Sequence, residues 1–214
     1  MAKPIVKRKP EPPCVYIVDD DTGVRESLAW LFQSVGIRSV HFASAAEFLE
    51  HRPPDPRGCM LLDIRMPGQS GLQLHRALRD AGVDMPTLFI TGDGETQAAV
   101  EAFKGGAFDF IEKPFAQQAM LDRVQAALKF DEQRQAVLDR VFEAEARLGV
   151  LTAREREVLS LLVEGFSNKE VGERLELSLK TVETHRARIM FKTDATSFAE
   201  LVRLALIAQS NEKK

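Results

Sequence analysis

The chain has 214 residues, of which 44% are hydrophobic and 29% charged, a balance typical of a globular protein with one or two domains. It contains no apolar run of the roughly 18 residues that a membrane-spanning helix requires, so we expect no membrane span and a cytoplasmic location. Two cysteines, Cys14 and Cys59, each open an apolar run and predict buried thiols rather than a disulfide framework.

The net charge of −3 is unevenly distributed along the chain. Residues 14–118 carry 9 basic and 15 acidic side chains, a net charge of −6, whereas residues 147–214 carry 12 basic and 10 acidic ones, a net charge of +2. Any nucleic-acid-binding surface is therefore expected in the second half. Residues 1–13 are basic and proline-rich without the apolar segment of a secretory signal, and we predict a flexible tail.

Short apolar runs alternate with helix-like stretches over the first 120 residues, as in a parallel sheet with crossover helices. The predicted strands span 14–18, 37–42, 59–62, 87–90 and 108–111. The predicted helices span 24–35, 45–50, 71–81, 96–104 and 116–128, and the second starts with a capping box of Ser44 and Glu47. Five such units predict an α/β fold with a doubly wound five-stranded parallel sheet, which places function at the carboxyl ends of its strands.

The last of these helices is predicted to continue, because residues 117–147 contain neither glycine nor proline. One long helix or two nearly collinear ones would then link two domains. After Gly149 we predict an all-α domain with helices at 153–164, 168–175, 179–192 and 198–209. Capping signals support these starts: Thr152 with Glu155, Ser167 with Glu170, Ser197 with Glu200, and Ser178 before the third helix.

Polar side chains follow the predicted strands at the edge where parallel strands end together. They are Asp19, Asp20 and Asp21 after the first strand, Asp63 after the third, Thr91 after the fourth and Lys113 after the fifth. Clustered carboxylates raise each other's pKa unless a cation neutralises them, and hard oxygen ligands suit Mg²⁺ or Mn²⁺. A carboxylate beside such an ion and a lysine can attack phosphorus, because both cations offset the charge on the phosphoryl oxygens.

These residues resemble the receiver domain of two-component response regulators, most closely the FixJ branch, which has a flavodoxin-like fold. The matching stretches are IVDDD (17–21), LLDIRMPGQSG (61–71), FITGDG (89–94) and FDFIEKPF (108–115). The resemblance implies that Asp63 accepts the phosphoryl group and that Thr91 and Lys113 contact its oxygens. It further implies metal binding by Asp19, Asp20, Asp63 and the backbone carbonyl of Arg65, a cis Lys113–Pro114 peptide, and a switch role for Phe110.

The second half resembles the LuxR-type helix-turn-helix domain through LTAREREVL (151–159), GFSNKEV (165–171), KTVETHRARIM (180–190) and AELVRLA (199–205). The predicted helix 179–192 would present one face to the major groove. Candidate DNA-binding residues are Lys169, Lys180, Thr181, Glu183, Thr184, Arg186, Ala187 and Arg188. Among them the lysines and arginines suit phosphates, whereas Glu183, Thr184 and Ala187 suit base edges.

The predicted domains are a tail at 1–13, a receiver domain at 14–118, a helical linker at 119–147 and a DNA-binding domain at 148–214. The expected function is a transcription regulator, not an enzyme, which a sensor histidine kinase phosphorylates on Asp63. The expected partners are that kinase, double-stranded promoter DNA, RNA polymerase and, on phosphorylation, a second copy of the chain. The second copy would bind the face built by helix 96–104, the fifth strand and the start of the fifth helix.

Two other functions compete with this one. A constitutive DNA-binding protein with a degenerate receiver would not need the intact acidic set. A phosphatase with an aspartate nucleophile would need a second aspartate two residues later as general acid, where this chain has Arg65.

Three positions depart from the LuxR-type pattern. Glu176 stands where the turn usually has glycine, at a cost of roughly 1–2 kcal/mol in left-handed geometry. Gly172 replaces alanine within a helix, at about 1 kcal/mol, and Thr193 replaces an apolar residue.

Overall fold

The computed structural model of the chain describes residues 12–92, 100 and 103–212. The chain divides into two compact units between Arg134 and Gln135. Within the described ranges, no helix is both long enough and apolar enough to cross a membrane.

The first unit is built on five parallel strands in the order β2-β1-β3-β4-β5. They are β1 (Cys14–Val18), β2 (Ser39–Phe42), β3 (Gly58–Asp63), β4 (Thr87–Thr91) and β5 (Asp109–Glu112). The predicted five-stranded parallel sheet is confirmed, with strand ends that differ from prediction by at most two residues. Both cysteines are buried thiols, as predicted.

Helices cover both faces of this sheet, as a doubly wound fold requires. The described helices of this part are α1 (Thr22–Ser34), α2 (Ala45–His51), α3 (Gly71–Asp80) and α4 (Gln117–Gly149). One apolar cluster joins α2 and α3 to alternate strand residues such as Tyr16 and Met60. The other joins α1 and the start of α4 to the intervening residues, such as Ile17 and Leu61. Most of the predicted helix 96–104 lies outside the described residues.

Side-chain caps fix where these helices begin. The Asp21 carboxylate accepts hydrogen bonds from the N–H groups of Gly23 and Val24 in the first turn of α1, and the helix starts two residues earlier than predicted. Ser44 caps α2 as predicted, but the predicted capping box is wrong: the Glu47 carboxylate accepts from the N–H of Ala43, one residue before the cap. Sequence reasoning missed a complete capping box at α3, formed by Ser70 and Gln73.

The helix α4 is a single helix, one of the two forms that the sequence allowed. Its residue Asp131 is buried, and its carboxylate accepts a 2.7 Å hydrogen bond from the N–H of Gly58 at the start of β3. The other carboxylate oxygen accepts a 2.7 Å bond from Arg134, which also pairs with Asp84 at 3.0 Å. A buried charge therefore joins α4 to the amino edge of the sheet.

The second unit contains helices α5 (Ala153–Val163), α6 (Asn168–Leu175), α7 (Leu179–Lys192) and α8 (Phe198–Glu212), besides the end of α4. The predicted all-α arrangement is confirmed. Its core includes Val158 of α5, Val171 of α6, Val182 and Ile189 of α7, and Leu201 of α8. These apolar residues hold α6 and α7 against α5.

Capping boxes start α5 and α6 as predicted, through Thr152 with Glu155 and Ser167 with Glu170. The predicted box at α8 is wrong in its second half. Ser197 accepts from the N–H of Glu200, but the Glu200 carboxylate accepts from the N–H and hydroxyl of Thr196. A glutamate side chain is long enough to bind the residue before the cap when that residue offers two donors.

Candidate functional sites

An acidic pocket lies at the carboxyl edge of the sheet, where the sequence predicted it. Asp19 directly follows β1, Asp63 and Thr91 end β3 and β4, and Lys113 directly follows β5. The side chains of Asp19, Asp63 and Thr91 are buried. The strand order puts β3 between β1 and β4, so Asp63 lies at the centre of this edge.

The ammonium group of Lys113 joins the two buried carboxylates. Its Nζ lies 2.9 Å from Asp19 Oδ2 and 2.9 Å from Asp63 Oδ1. The backbone N–H of Lys113 donates a 2.8 Å hydrogen bond to the carbonyl of Thr91. The lysine is therefore fixed at both ends, and its peptide bond to Pro114 is cis as predicted.

Burial and ion pairing shift the pKa values of Asp63 and Lys113 in opposite directions. Burial raises the pKa of Asp63 above its ordinary value, and the hydrogen bond and charge of Lys113 only partly oppose this rise. Burial alone would lower the pKa of Lys113, but its hydrogen bonds to Asp63 and Asp19 outweigh burial and raise that pKa. The pocket thus holds a cation beside the buried Asp63 carboxylate.

Backbone groups orient the two carboxylates. Asp63 Oδ2 accepts a 2.8 Å hydrogen bond from the N–H of Arg65, and Asp19 Oδ1 accepts one of 2.8 Å from the N–H of Asp21. The Arg25 guanidinium donates to the carbonyl of Asp19 at 2.6 Å. Sequence reasoning missed Arg25; its place one turn into the helix that follows the acidic triplet was the available signal.

The three consecutive aspartates differ in their surroundings. Asp19 lies in the pocket, whereas Asp21 caps α1 and Asp20 is exposed. The reason is local, because the chain turns from strand to helix over these residues and each side chain points in a different direction. Arg65 is exposed, and its backbone N–H donates to Asp63.

The donor set suits a hard divalent cation. Among the described residues, no three His, Cys, Asp or Glu side chains meet in a metal-binding cluster. The two buried carboxylates and the adjacent exposed Asp20 supply oxygen ligands only, which fits Mg²⁺ or Mn²⁺ with several retained waters.

The predicted switch residue Phe110 lies on β5 opposite Phe89 and is half-buried. Its ring contacts Phe103 edge-to-face, with 5.5 Å between the ring centroids. Of the predicted dimer face, Val100 is 44% exposed and Phe103 48% exposed, so neither is a core residue of the single chain.

A helix-turn-helix geometry joins α6 and α7. Glu176 ends α6 in left-handed geometry, with φ 56° and ψ 41°, at the position where the family pattern has glycine. Gly172 was expected only to weaken its helix, but the structure shows a steric role as well. A Cβ at this position would lie 2.7 Å from the carbonyl oxygen of Leu177, which is too close without a backbone shift. The buried hydroxyl of Thr193 donates to the carbonyl of Ile189 at 2.8 Å, so this polar replacement is satisfied.

The candidate DNA-binding residues divide into two groups. Those that are exposed are Lys169 on α6 and Lys180, Glu183, Thr184, Ala187 and Arg188 on α7. The other two are half-buried and have partners within the domain: Thr181 pairs with the cap Ser178 at 2.7 Å, and the Arg186 guanidinium lies 4.5 Å from the ring centre of Phe198. The hydroxyl of Thr184 donates to the carbonyl of Lys180, which leaves its methyl group and oxygen lone pairs for a ligand.

The doubly wound sheet with a lysine between two carboxylates, followed by a helix-turn-helix unit, defines a receiver domain joined to a DNA-binding domain. Residues 15–125 match the response regulator receiver domain, and residues 149–205 match the luxR family of bacterial regulatory proteins. The chain belongs to the two-component response regulators, in the FixJ branch, and is a phosphorylation-dependent transcription regulator.

Individual relatives agree with this assignment. The chain is 44% identical to the transcriptional regulatory protein FixJ of Azorhizobium caulinodans, over 93% of this chain and 94% of that one. It is 40% identical to nodulation protein W of Bradyrhizobium diazoefficiens, over 89% and 84%. The structure of response regulator StyR superposes with a TM-score of 0.83 at 39% identity, over 91% of this chain and 98% of that one.

Proposed function

We propose that a sensor histidine kinase phosphorylates this regulator on Asp63 and that phosphorylation controls its binding to promoter DNA. The observation that carries the proposal is the buried Asp63 carboxylate, held 2.9 Å from the Lys113 ammonium at the carboxyl edge of the sheet. A buried carboxylate with a fixed cation beside it is suited to attack phosphorus.

In the proposed reaction an Asp63 oxygen forms the bond to phosphorus, and the bond between phosphorus and the donor nitrogen breaks. Lys113 offsets the charge on the phosphoryl oxygens, and the Thr91 hydroxyl contacts one of them. A bound Mg²⁺ or Mn²⁺ would supply further positive charge to those oxygens, held by Asp19, Asp20, Asp63 and the backbone carbonyl of Arg65.

Phosphorylation is proposed to act through Thr91 and Phe110 on the face that includes Val100, Phe103 and Lys104. The half-buried Phe110 ring, which contacts Phe103, joins the pocket edge to that face. We propose that a second copy of the chain binds there, because Val100 and Phe103 are about half exposed in the single chain. Charge insertion at Val100 should then weaken phosphorylation-dependent dimers in sedimentation.

The domain roles follow the predicted boundaries, with a tail at 1–13, a receiver at 14–118, a linker at 119–147 and a DNA-binding domain at 148–214. Cytoplasmic location and contact with RNA polymerase are part of the proposal. In the DNA-binding domain we propose phosphate contacts by Lys169, Lys180 and Arg188. The exposed positions Glu183, Thr184 and Ala187 would meet base edges.

The proposed placement of α7 predicts different effects for residues that contact phosphates and residues that contact bases. Arg188→Ala should weaken binding to every duplex and reduce its salt dependence, because binding displaces fewer counterions from the DNA when one phosphate contact is missing. Thr184→Ala should instead change which sequences bind, with little effect on the salt slope. Equal losses and equal slopes for both variants would contradict this placement of the helix.

The phosphorylation test uses acetyl phosphate with Mg²⁺ and mass spectrometry of the intact chain. The wild type should gain one phosphoryl group, and Asp63→Asn should gain none. Asp55→Asn is the control, because this exposed aspartate precedes β3 at the opposite end of the strand. Labelling of Asp63→Asn at the wild-type level would overturn the proposal.

A metal titration tests the ligand set separately. Asp20→Asn removes an exposed charge and should leave the fold intact, while Mg²⁺ affinity and phosphorylation both fall. Equal Mg²⁺ binding by the variant and the wild type would remove Asp20 from the ligand set. Slow hydrolysis that lets the phosphorylated chain accumulate in excess donor would indicate a regulator, whereas fast hydrolysis that keeps the acyl phosphate from accumulating would indicate a phosphatase.

A further inference from the structure

One aromatic side chain on α7 has no role in the site described above. Phe191 is 87% exposed, more than any other large hydrophobic side chain in the described part of the chain. Its neighbours in sequence point elsewhere: Met190 packs against the core of the unit, and the Lys192 ammonium binds Glu155 at 2.8 Å. The helix backbone thus holds Phe191 outward, and the exposed ring is not a consequence of a frayed helix end.

The position of Phe191 on the helix places it on the face assigned to DNA. It follows Ala187 by four residues and Thr184 by seven, spacings that share one face of an α-helix. The rise from Ala187 is about 6 Å, roughly one turn along the axis. Ala187, Thr184 and Arg188 are all exposed, so the ring extends this face toward the C-terminal end of α7.

The chemistry of the surroundings favours DNA as the group that covers the ring. The same face carries the cationic side chains of Lys180 and Arg188, which attract phosphates rather than an apolar protein surface. A phenyl ring cannot donate to a phosphate, but it can contact the C5-methyl group that thymine presents in the major groove. Burying this ring would also remove from water the most exposed large apolar side chain among the described residues.

We infer that Phe191 is a specificity-determining residue that contacts a thymine methyl group at the edge of the site read by α7. The inference rests on the proposed placement of α7 in the major groove. It adds an apolar contact to a face that otherwise offers charges and small side chains, and it predicts a preference for thymine at one position outside those read by Thr184 and Ala187.

The experiment uses the full chain, treated with acetyl phosphate, and a pool of duplexes with a randomised core. Duplexes selected by the wild type are compared with those selected by Phe191→Ala. The wild type should select thymine at one position where the variant accepts any base. On the selected duplex Phe191→Ala should bind about tenfold more weakly, with unchanged salt slope and unchanged affinity for a scrambled duplex.

A second measurement isolates the methyl group. Replacing thymine by uracil at each position of the selected duplex removes only that methyl. At one position this should weaken wild-type binding about fourfold, the equivalent of one buried methyl group, and leave Phe191→Ala unaffected. Phe142→Ala is the matched control, since Phe142 is a half-exposed phenylalanine of the same unit on α4. It should select the same duplexes as the wild type.

The outcomes separate this inference from the proposed function. If Arg188→Ala lowers affinity and salt slope but Phe191→Ala matches the wild type on every duplex, the inference alone is overturned. Equal losses on selected and scrambled duplexes, or lost dimers in sedimentation with unchanged affinity per dimer, would also overturn it, because the ring would then contact the backbone or another protein. If neither Arg188→Ala nor Phe191→Ala changes DNA binding, the placement of α7 itself is wrong.

Discussion

The carboxylate of Glu155 joins the start of α5 to the end of α7, and its removal should destabilise the second unit. Glu155 is 3% exposed and accepts three hydrogen bonds: from Lys192 Nζ at 2.8 Å, from the N–H of Thr152 at 2.8 Å and from the Thr152 hydroxyl at 3.0 Å. Glu155→Ala removes half of a capping box and one partner of a partly buried ion pair.

The magnitude follows from these contacts. Loss of a helix cap costs about 1 kcal/mol. Loss of the ion pair adds about 1 kcal/mol rather than the 3–5 kcal/mol of a fully buried pair, because the Lys192 side chain is 35% exposed and can be hydrated. We therefore expect Glu155→Ala to lower the free energy of unfolding of this unit by about 2 kcal/mol. Glu155→Gln keeps the capping geometry and should cost about half as much.

The effect should depend on pH. The hydrogen bond from Lys192 and that from the backbone of Thr152 lower the pKa of Glu155 from 4.5 to about 2 in the folded protein. A depressed folded-state pKa contributes stability that is complete above the unfolded value of 4.5 and is lost as the pH falls toward 2. The difference between wild type and Glu155→Ala should therefore be full at neutral pH and shrink across that acid range.

The assay is urea unfolding followed by circular dichroism, with hydrogen exchange of peptides from α5 and α7 to localise the change. Tryptophan fluorescence would not report it, because the single tryptophan, Trp30, belongs to the first unit. Glu157→Gln is the control, since Glu157 is half exposed and pairs only with Arg154 one turn away. A difference between Glu155→Ala and wild type that stays constant from neutral pH to about pH 3 would refute the electrostatic part of this reasoning.

Three further variants probe contacts that the structure shows. Arg147→Met should destabilise the second unit by about 1–3 kcal/mol in urea unfolding, because the guanidinium donates to two carbonyls after α7 and to Glu200. If the start of α8 were as well protected from hydrogen exchange in the variant as in the wild type, this expectation would be contradicted. Glu176→Gly should stabilise the same unit by about 1 kcal/mol, since glycine adopts φ 56° without strain, and a lower melting temperature would argue against it. Asp131→Ala should lower the free energy of unfolding of the first unit by about 2–4 kcal/mol, because the buried N–H of Gly58 and the Arg134 guanidinium lose their acceptor. Trp30 fluorescence would report the unfolding, and unchanged hydrogen exchange at the N–H of Gly58 would contradict the expectation.

Features that depend on short spacing could be predicted from the amino-acid sequence. Alternation of apolar runs with amphipathic stretches was sufficient to predict the sheet, its helices and the all-α second unit. Caps such as Thr152 with Glu155 were predictable because they join residues three apart, a distance that the helix itself fixes. The acidic pocket was predictable for a related reason, since parallel strands end at the same edge whatever their order.

Which side chains meet, and where each one points, depends on contacts between residues far apart in the chain. Lys113 is 94 residues from Asp19 and 50 from Asp63, and only the strand order brings its ammonium between them. Nothing in the local sequence distinguishes Asp19 in the pocket from the exposed Asp20, because the bend from β1 into α1 sets their directions. Arg186 likewise had the spacing of a DNA contact but lies over the ring of Phe198, since a long side chain takes the nearest favourable partner that the packed helices offer.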